Sequence, residues 1–356
     1  MNMKSLIGII LLLILGSCLS EEPFKKPFQT LLPQELNDGW ELSTPENENM
    51  DSQLLEKAFE LVYREDRYVM ARSLLVFRNG KLVAEAYPND PNDLHKISNI
   101  QSCTKSITSL LVGVAMEKGL FDNLEIKLHD LFPVMFDDNL PKKQIRLKDA
   151  LSMQAGLEFD NDKHTLQLCQ EKNNSIQWIL SKDLIHAPGT FMNYNDGAPH
   201  LVSKAIETLA MQPTASFAEK YLFEPLGIKD WKWESSRDGV TYGAFSLFLK
   251  PRDLGKIGQL VLQNGIWVNQ QIISPEYLEE ASSIQAISGH NNRPYGYYFW
   301  IYPEWKAFAA LGHGGQFVLM APEKNLVVVY TAWPYTHTQL WDDEKELIAM
   351  IIQSCK

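Results

Sequence analysis

Apolar positions recur along this chain with two periods. From Asp51-Ser52 to Tyr63 they return every three to four residues, which predicts an amphipathic helix with Asp51 or Ser52 as its cap. Residues 72–78 (RSLLVFR) and 81–87 (KLVAEAY) flank Asn79-Gly80. Asn-Gly between apolar runs is the strongest local signal for a β-hairpin. Residues 102–119 are apolar almost all round, the mark of a helix buried in a core, with Gly119 as its stop. Helical stretches follow at 145–154, 174–182, 198–210 and 214–223, separated by Pro and Gly, and strand patterns are scarce there. Further helices are predicted at 252–263 and 275–282. Aromatic and β-branched runs at 295–302, 307–311, 316–321 and 326–333 predict strands, and 342–354 closes as an amphipathic helix.

Strands near both ends and helices between them predict an α+β protein. Residues 51–119 and 241–356 would form one antiparallel sheet with flanking helices, and 120–240 an inserted helical domain. A cleft between two such lobes is the expected place for a small-molecule site.

The first residues follow another logic. One cation, Lys4, precedes the uncharged run Leu6–Gly16, and Ser17-Cys18 follows it. Eleven residues are too few to span a bilayer, which takes about 20. A basic start, a short apolar run and small residues describe a secretory signal. Leu15-Gly16-Ser17-Cys18 resembles the lipobox of bacterial lipoproteins. It implies removal of residues 1–17, lipidation at Cys18, a bacterial envelope location and a membrane anchor. Residues 18–50, polar and Pro-containing, would then be a tether.

Composition narrows the partners. Lys plus Arg is 33 against 44 for Asp plus Glu, a net charge of −11 with no long basic run. Phosphate neutralisation needs clustered cations, so no nucleic-acid partner is expected. Four cysteines in 356 residues exclude a disulfide-dense scaffold. Cys169 and Cys355 are expected to be free thiols. No GxSxG, HExxH, Walker A, CxxC or GxGxxG motif occurs, and the eight His are scattered. No metal and no cofactor are expected.

Three segments could do chemistry. Ser102-Cys103-Thr104-Lys105 is the only S-x-x-K in the chain, and it opens the most apolar helix. Ser and Lys at i, i+3 share a face, and the helix dipole favours a developing alkoxide. Burial beside apolar residues is expected to lower the Lys105 pKa, so that the amine can take the serine proton. Tyr194, in the loop Asn193-Tyr194-Asn195-Asp196-Gly197, could act as a general acid or base beside that lysine. His313-Gly314-Gly315-Gln316 ends a predicted strand; its glycines let a substrate approach the backbone, and the Gln316 and Ser102 amides could form an oxyanion hole. Of the aromatic residues Trp231, Trp233, Tyr295, Tyr297, Tyr298 and Trp300, only Tyr295 or Tyr298 is expected near the cleft.

In this order the three segments resemble the serine β-lactamase and penicillin-binding-protein family, in its class C-like branch, with S-x-x-K, then Y-x-N, then K-T-G or H-x-G. Residues 145–157 resemble the family's helix-to-Ser-Gly-Leu segment, with Ala155 where Ser is usual. Pro188-Gly189-Thr190, Pro225-Leu226-Gly227-Ile228 and Pro251-Arg252-Asp253-Leu254 fall in the family's order. Tyr-Asn-Asp-Gly and His-Gly-Gly-Gln are most similar to the 6-aminohexanoate-dimer hydrolase and esterase-like subgroup. The resemblance implies a β-lactamase/transpeptidase-like fold, Ser102 as nucleophile, Lys105 as its activator and Tyr194 as proton carrier to the leaving group. His313, Gly314, Gly315, Asn195 and Asp196 would contact substrate. Two departures stand out. Asp196 occupies the third position of Y-x-N, unless Asn195 serves. His313 replaces the lysine that supplies a fixed cation, and histidine as a residue type is mostly neutral near pH 7. The expected function is therefore a serine hydrolase of small esters or amides. A D,D-peptidase or β-lactamase, and a non-catalytic binding protein, are the alternatives.

Overall fold

The computed structural model describes residue 28 and residues 30–289, 292–334 and 340–356. The leader and Cys18 lie outside these residues. The strands are β1 (Ala71–Arg78), β2 (Lys81–Ala86), β3 (Ser98–Asn99), β4 (Lys232–Trp233), β5 (Leu247–Leu249), β6 (Ile266–Trp267), β7 (Gln270–Gln271), β8 (Ala286–Ile287), β9 (Pro294–Tyr295), β10 (Trp300–Tyr302), β11 (Ala307–Gly312), β12 (Gln316–Ala321) and β13 (Leu326–Ala332). The α-helices are α1 (Ser52–Arg64), α2 (Cys103–Glu117), α3 (Leu128–Leu131), α4 (Leu147–Leu151), α5 (Asn161–Gln170), α6 (Ser175–Leu180), α7 (Gly197–Ala210), α8 (Thr214–Ala218), α9 (Pro251–Leu262), α10 (Pro275–Ala281) and α11 (Leu340–Ser354).

Eight strands form one antiparallel sheet in the order β2-β1-β13-β12-β11-β10-β9-β8. Both chain ends contribute to it, as the strand distribution predicts. Asn79 and Gly80 both have positive φ, 54° and 81°, and close the β1–β2 hairpin in two residues. Every residue of β1 is buried because both faces of the sheet are covered. Leu74 and Val76 join a core with Leu55 and Phe59 of α1 and Leu347 and Ile351 of α11. Leu75 and Phe77 join the opposite core, with Leu110 and Val114 of α2 and Leu254 and Ile257 of α9. Double coverage explains why these strands read as continuous apolar runs. Gly255 of α9 is required here, since a Cβ would stand 2.3 Å from the Phe77 ring.

Three expectations need correction. The segment read as a tether from 18 to 50 is docked from Leu31 onward. Leu31, Trp40 and Met50 are buried, and the Trp40 indole donates to the Arg252 carbonyl at 3.2 Å. Its scattered apolar anchors escape a periodicity search. The run at 295–302 is two short strands, broken where Tyr298 takes φ 65° and its carbonyl accepts from Ser106 Oγ at 2.5 Å. Helix α5 has no counterpart in the predicted elements. Only Leu168 of its ten residues is buried, so it carries no apolar stripe. Cys103, Cys169 and Cys355 are free thiols.

A buried ion pair fastens the docked segment. Arg252 donates to Glu85 at 2.9 and 2.7 Å, to Asp38 at 3.0 Å and to the Gln34 carbonyl at 2.6 Å. Arg252 is 3% and Glu85 4% exposed, so neither charge has water to fall back on. Glu85→Ala leaves the guanidinium short of a counter-charge. Urea unfolding of that variant is expected to show a loss of about 3–5 kcal/mol, and a loss below about 1 kcal/mol would mean the pair behaves as a surface bridge.

Candidate active site

Ser102 stands at the start of α2, directly after β3. Gln101 before it takes φ 53°, an uncommon conformation for a non-glycine residue that turns the chain sharply into the helix. Gly312 makes room for this turn: a Cβ there would lie 2.6 Å from the Ile100 carbonyl oxygen. The end of β11 can thus press against the residues that present Ser102.

Lys105 is one turn along α2 and only 1% exposed. Its Nζ donates to Ser102 Oγ at 2.8 Å, to Asp196 Oδ1 at 2.7 Å and to the Ala244 carbonyl at 3.2 Å. It also lies 4.9 Å from the centre of the Tyr194 ring. Three separate parts of the chain meet at this one nitrogen: the start of α2, the 194–196 loop and the segment at Ala244. Burial alone would push the Lys105 pKa down. The Asp196 carboxylate and Tyr194 outweigh that, and the net direction is up. The expected fall in pKa is therefore corrected: a carboxylate in place of a neutral amide reverses the sign.

Asp196 is fixed from the other side. Its Oδ2 accepts from Thr165 Oγ1 at 2.6 Å, and its backbone N–H donates to Asn161 Oδ1 at 2.9 Å. Both partners come from α5, so a helix without a counterpart in the predicted elements holds this acid. The register question also resolves. Asn195 Oδ1 caps α7 by accepting from the Ala198 N–H at 2.8 Å, and its amide donates to the Asn193 carbonyl at 2.6 Å. Asn195 is absent from the cleft lining, whereas Asp196 faces it. The expectation of substrate contact by Asn195 gives way to a capping role.

The cleft has a volume of about 550 Å³ and opens over Ser102, Tyr194, Asp196, Trp300, Gly312 and His313. Gly314 and Gly315, with φ of 81° and 91°, shape the β11–β12 turn behind His313 rather than the lining. Gln316 pairs with Gly312, and its carbonyl accepts from Cys103 Sγ at 3.6 Å, which places it beside the start of α2. Its side chain points inward and holds both backbone groups of Ala332. Its side chain is therefore not available to a ligand, and Gln316 lies behind the residues that line the cleft. Tyr295 and Tyr298 are buried: Tyr295 packs behind Tyr194, and the Tyr298 hydroxyl donates to the Ala150 carbonyl at 2.9 Å. Of the six aromatic residues singled out from the sequence, Trp300 is the one that lines the cleft, 5.6 Å from the Tyr194 ring.

Two further residues belong to the surroundings. The Arg293 guanidinium stacks 5.0 Å from the Trp300 ring at the cleft rim. Glu344 of α11 lies under the His-Gly-Gly turn. Its Oε1 is 2.8 Å from the position a Gly315 Cβ would take, and burial pushes its carboxyl well above the usual carboxylate range. Neither is flagged by a local motif.

With this geometry in place, comparison with known proteins gives a consistent answer. A family model described as Beta-lactamase matches residues 63–347. An uncharacterised protein of Alkalihalophilus pseudofirmus is 23% identical over 287 residues, covering 72% of this chain and 82% of that protein. A Dictyostelium discoideum beta-lactamase-like protein is 26% identical over 244 residues, 57% of this chain, and the match spans only 42% of that longer protein. Among solved structures, a Bacillus anthracis protein described as a 6-aminohexanoate-dimer hydrolase superimposes with TM-score 0.71 at 20% identity, covering 93% of this chain and 88% of that one. A family VIII carboxylesterase superimposes with TM-score 0.69 at 15% identity, covering 85% and 97%. At these identities the structural likeness shows the fold: β-lactamase/transpeptidase-like, of the α+β class, with an antiparallel sheet and flanking helices. The family match extends over most of the chain and includes every segment that meets at Lys105, so this protein is a member of the Beta-lactamase family.

Proposed function

We propose that this protein is a serine hydrolase that forms a covalent acyl-enzyme on small esters or amides. The observation that carries the reading is the Ser102–Lys105 contact at 2.8 Å, at the floor of a cleft also lined by Tyr194 and His313. Ser102 Oγ attacks the carbonyl carbon, and the carbonyl π electrons move to oxygen. The backbone N–H groups of Ser102 and Gln316 receive the oxyanion. The serine proton passes to the Lys105–Tyr194 pair, and Tyr194 returns it to the leaving alcohol or amine as the C–O or C–N bond breaks. Water then attacks the acyl-enzyme, and Ser102 recovers its proton.

Asp196 gives this site a particular pH dependence. A neutral Lys105 amine can donate to Asp196 and Ala244 while its lone pair faces the Ser102 hydroxyl. The charged form instead donates to all three. Asp196 favours the charged form, so the active state is expected to populate as pH rises. His313 in place of a fixed lysine cation favours substrates without an obligatory carboxylate. This argues against a dedicated β-lactamase or D,D-peptidase. The intact Ser102, Lys105 and Tyr194 argue against a pure binding role. The leader motif supports envelope export and anchoring through Cys18.

Hydrolysis of p-nitrophenyl acetate and labelling by a fluorophosphonate probe are expected for the native protein. Ser102→Ala is expected to abolish labelling and to cut turnover by at least about 10³-fold. Rapid nitrocefin hydrolysis without ester turnover would overturn the substrate class. Asp196→Asn is expected to move the rising limb of the kcat/KM–pH profile to lower pH, because it removes the charge that raises the lysine. An unchanged limb would show that Lys105 does not set it.

A further inference from the structure

We propose that the catalytic cleft has a second, apolar limb that binds a hydrophobic substituent of the substrate, such as a medium-length acyl chain. The inference rests on the serine-hydrolase reading and adds a substrate class to it. A cavity of about 730 Å³ lies beside the cleft, walled by Ile97, Phe248 and Trp333. Asn99 and Gln101 line both spaces, so the two share a wall next to the nucleophile. Asn99 and Ser102 are three residues apart, which limits their Cα separation to about 11 Å. In this proposal a chain attached to the carbonyl that Ser102 attacks extends past these two residues into the limb.

The apolar wall is anchored to its surroundings. Trp333 is 52% exposed, an unusual position for so large an apolar ring, yet it is held in place. Its backbone N–H donates to the Met70 carbonyl at 2.9 Å, and the Arg72 guanidinium stacks 4.6 Å from its ring. Arg72 is itself buried and paired with Asp93 at 2.6 Å. Phe248 is the middle strand's contribution to the small sheet and stands opposite Asn99, so both side chains lie on one face. A platform fixed before binding loses little conformational entropy when a ligand lands on it.

Charge decides what kind of ligand fits. The cations of this cavity each have a carboxylate partner: Arg72 with Asp93, Lys96 with Asp90, and Lys250 with Asp230. The limb thus offers apolar surface without net positive charge. A neutral hydrocarbon or aryl group suits it better than an anion.

A p-nitrophenyl ester series from acetate to octanoate tests this. kcat/KM for octanoate is expected to exceed that for acetate by roughly tenfold or more. Trp333→Ala is expected to erase that gain and leave acetate turnover unchanged, while Trp333→Phe retains most of it. A flat series, or a Trp333→Ala variant that slows acetate and octanoate alike, would overturn the proposal. A second measurement is independent of turnover: calorimetry on Ser102→Ala protein should show octanamide binding at least about tenfold tighter than acetamide. Equal affinities would refute the limb. Octanamide binding by a protein that turns over no ester would support the limb and refute the hydrolase reading instead.

Discussion

A charge buried at 1% exposure needs several compensating partners, and Lys105 obtains them from across the chain. Removing an ammonium from water costs several kcal/mol, and only a counter-charge with good hydrogen bonds offsets that. Ser102 from the same helix, Asp196 from the loop before α7 and Ala244 from the segment before β5 supply them. If any of these pieces shifted, the ammonium would be left under-coordinated in a closed space. Helix α2, the loop before α7 and the segment leading into β5 are therefore tied together at the point where chemistry is proposed. The sign of the coupling follows from the raised lysine pKa. Its stabilising contribution is complete below the unfolded lysine value and is lost as pH climbs through the folded one.

The layers around this point have separate tasks. Two-sided burial of the sheet fixes β11 and β12, and with them the His313–Gly315 turn beside α2. Gly312 permits the close approach that a side chain would forbid. Helix α5 holds Asp196 through Thr165 and Asn161, and α11 brings Glu344 beneath the turn. The acid at 196 is thus neither a stray surface charge nor a simple stand-in for asparagine. It is held between two elements and sets the charge of the residue next to the nucleophile.

Much of this was legible from the chain. The β1–β2 hairpin, α2 and the strands β11 to β13 follow from turn chemistry and apolar runs, which are local. Ser102, Lys105, Tyr194 and His313 stand out because their segments combine in one order. Asp196 is visible as a departure, but its effect on Lys105 depends on a contact 91 residues away in sequence. Thr165 and Asn161 sit on a helix without an apolar stripe, so neither period nor motif marks them. Trp300 and Tyr298 look alike in a run of aromatics. Only the positive φ at Tyr298 breaks the strand there, while β10 places Trp300 along the cleft. The docked segment from Leu31 to Met50 hides its anchors among polar residues, and its hold on the fold comes from backbone bonds to β2 and from Arg252, more than 200 residues later in the chain.

Asp196 favours the charged form of the buried lysine in the resting protein. Lysine side chains labelled with ¹⁵N allow the Lys105 amine to be followed directly by NMR during a pH titration. An ammonium signal is expected through neutral pH in the native protein, and a titration displaced to lower pH in Asp196→Asn. A neutral Lys105 amine at pH 7 in the native protein would contradict it.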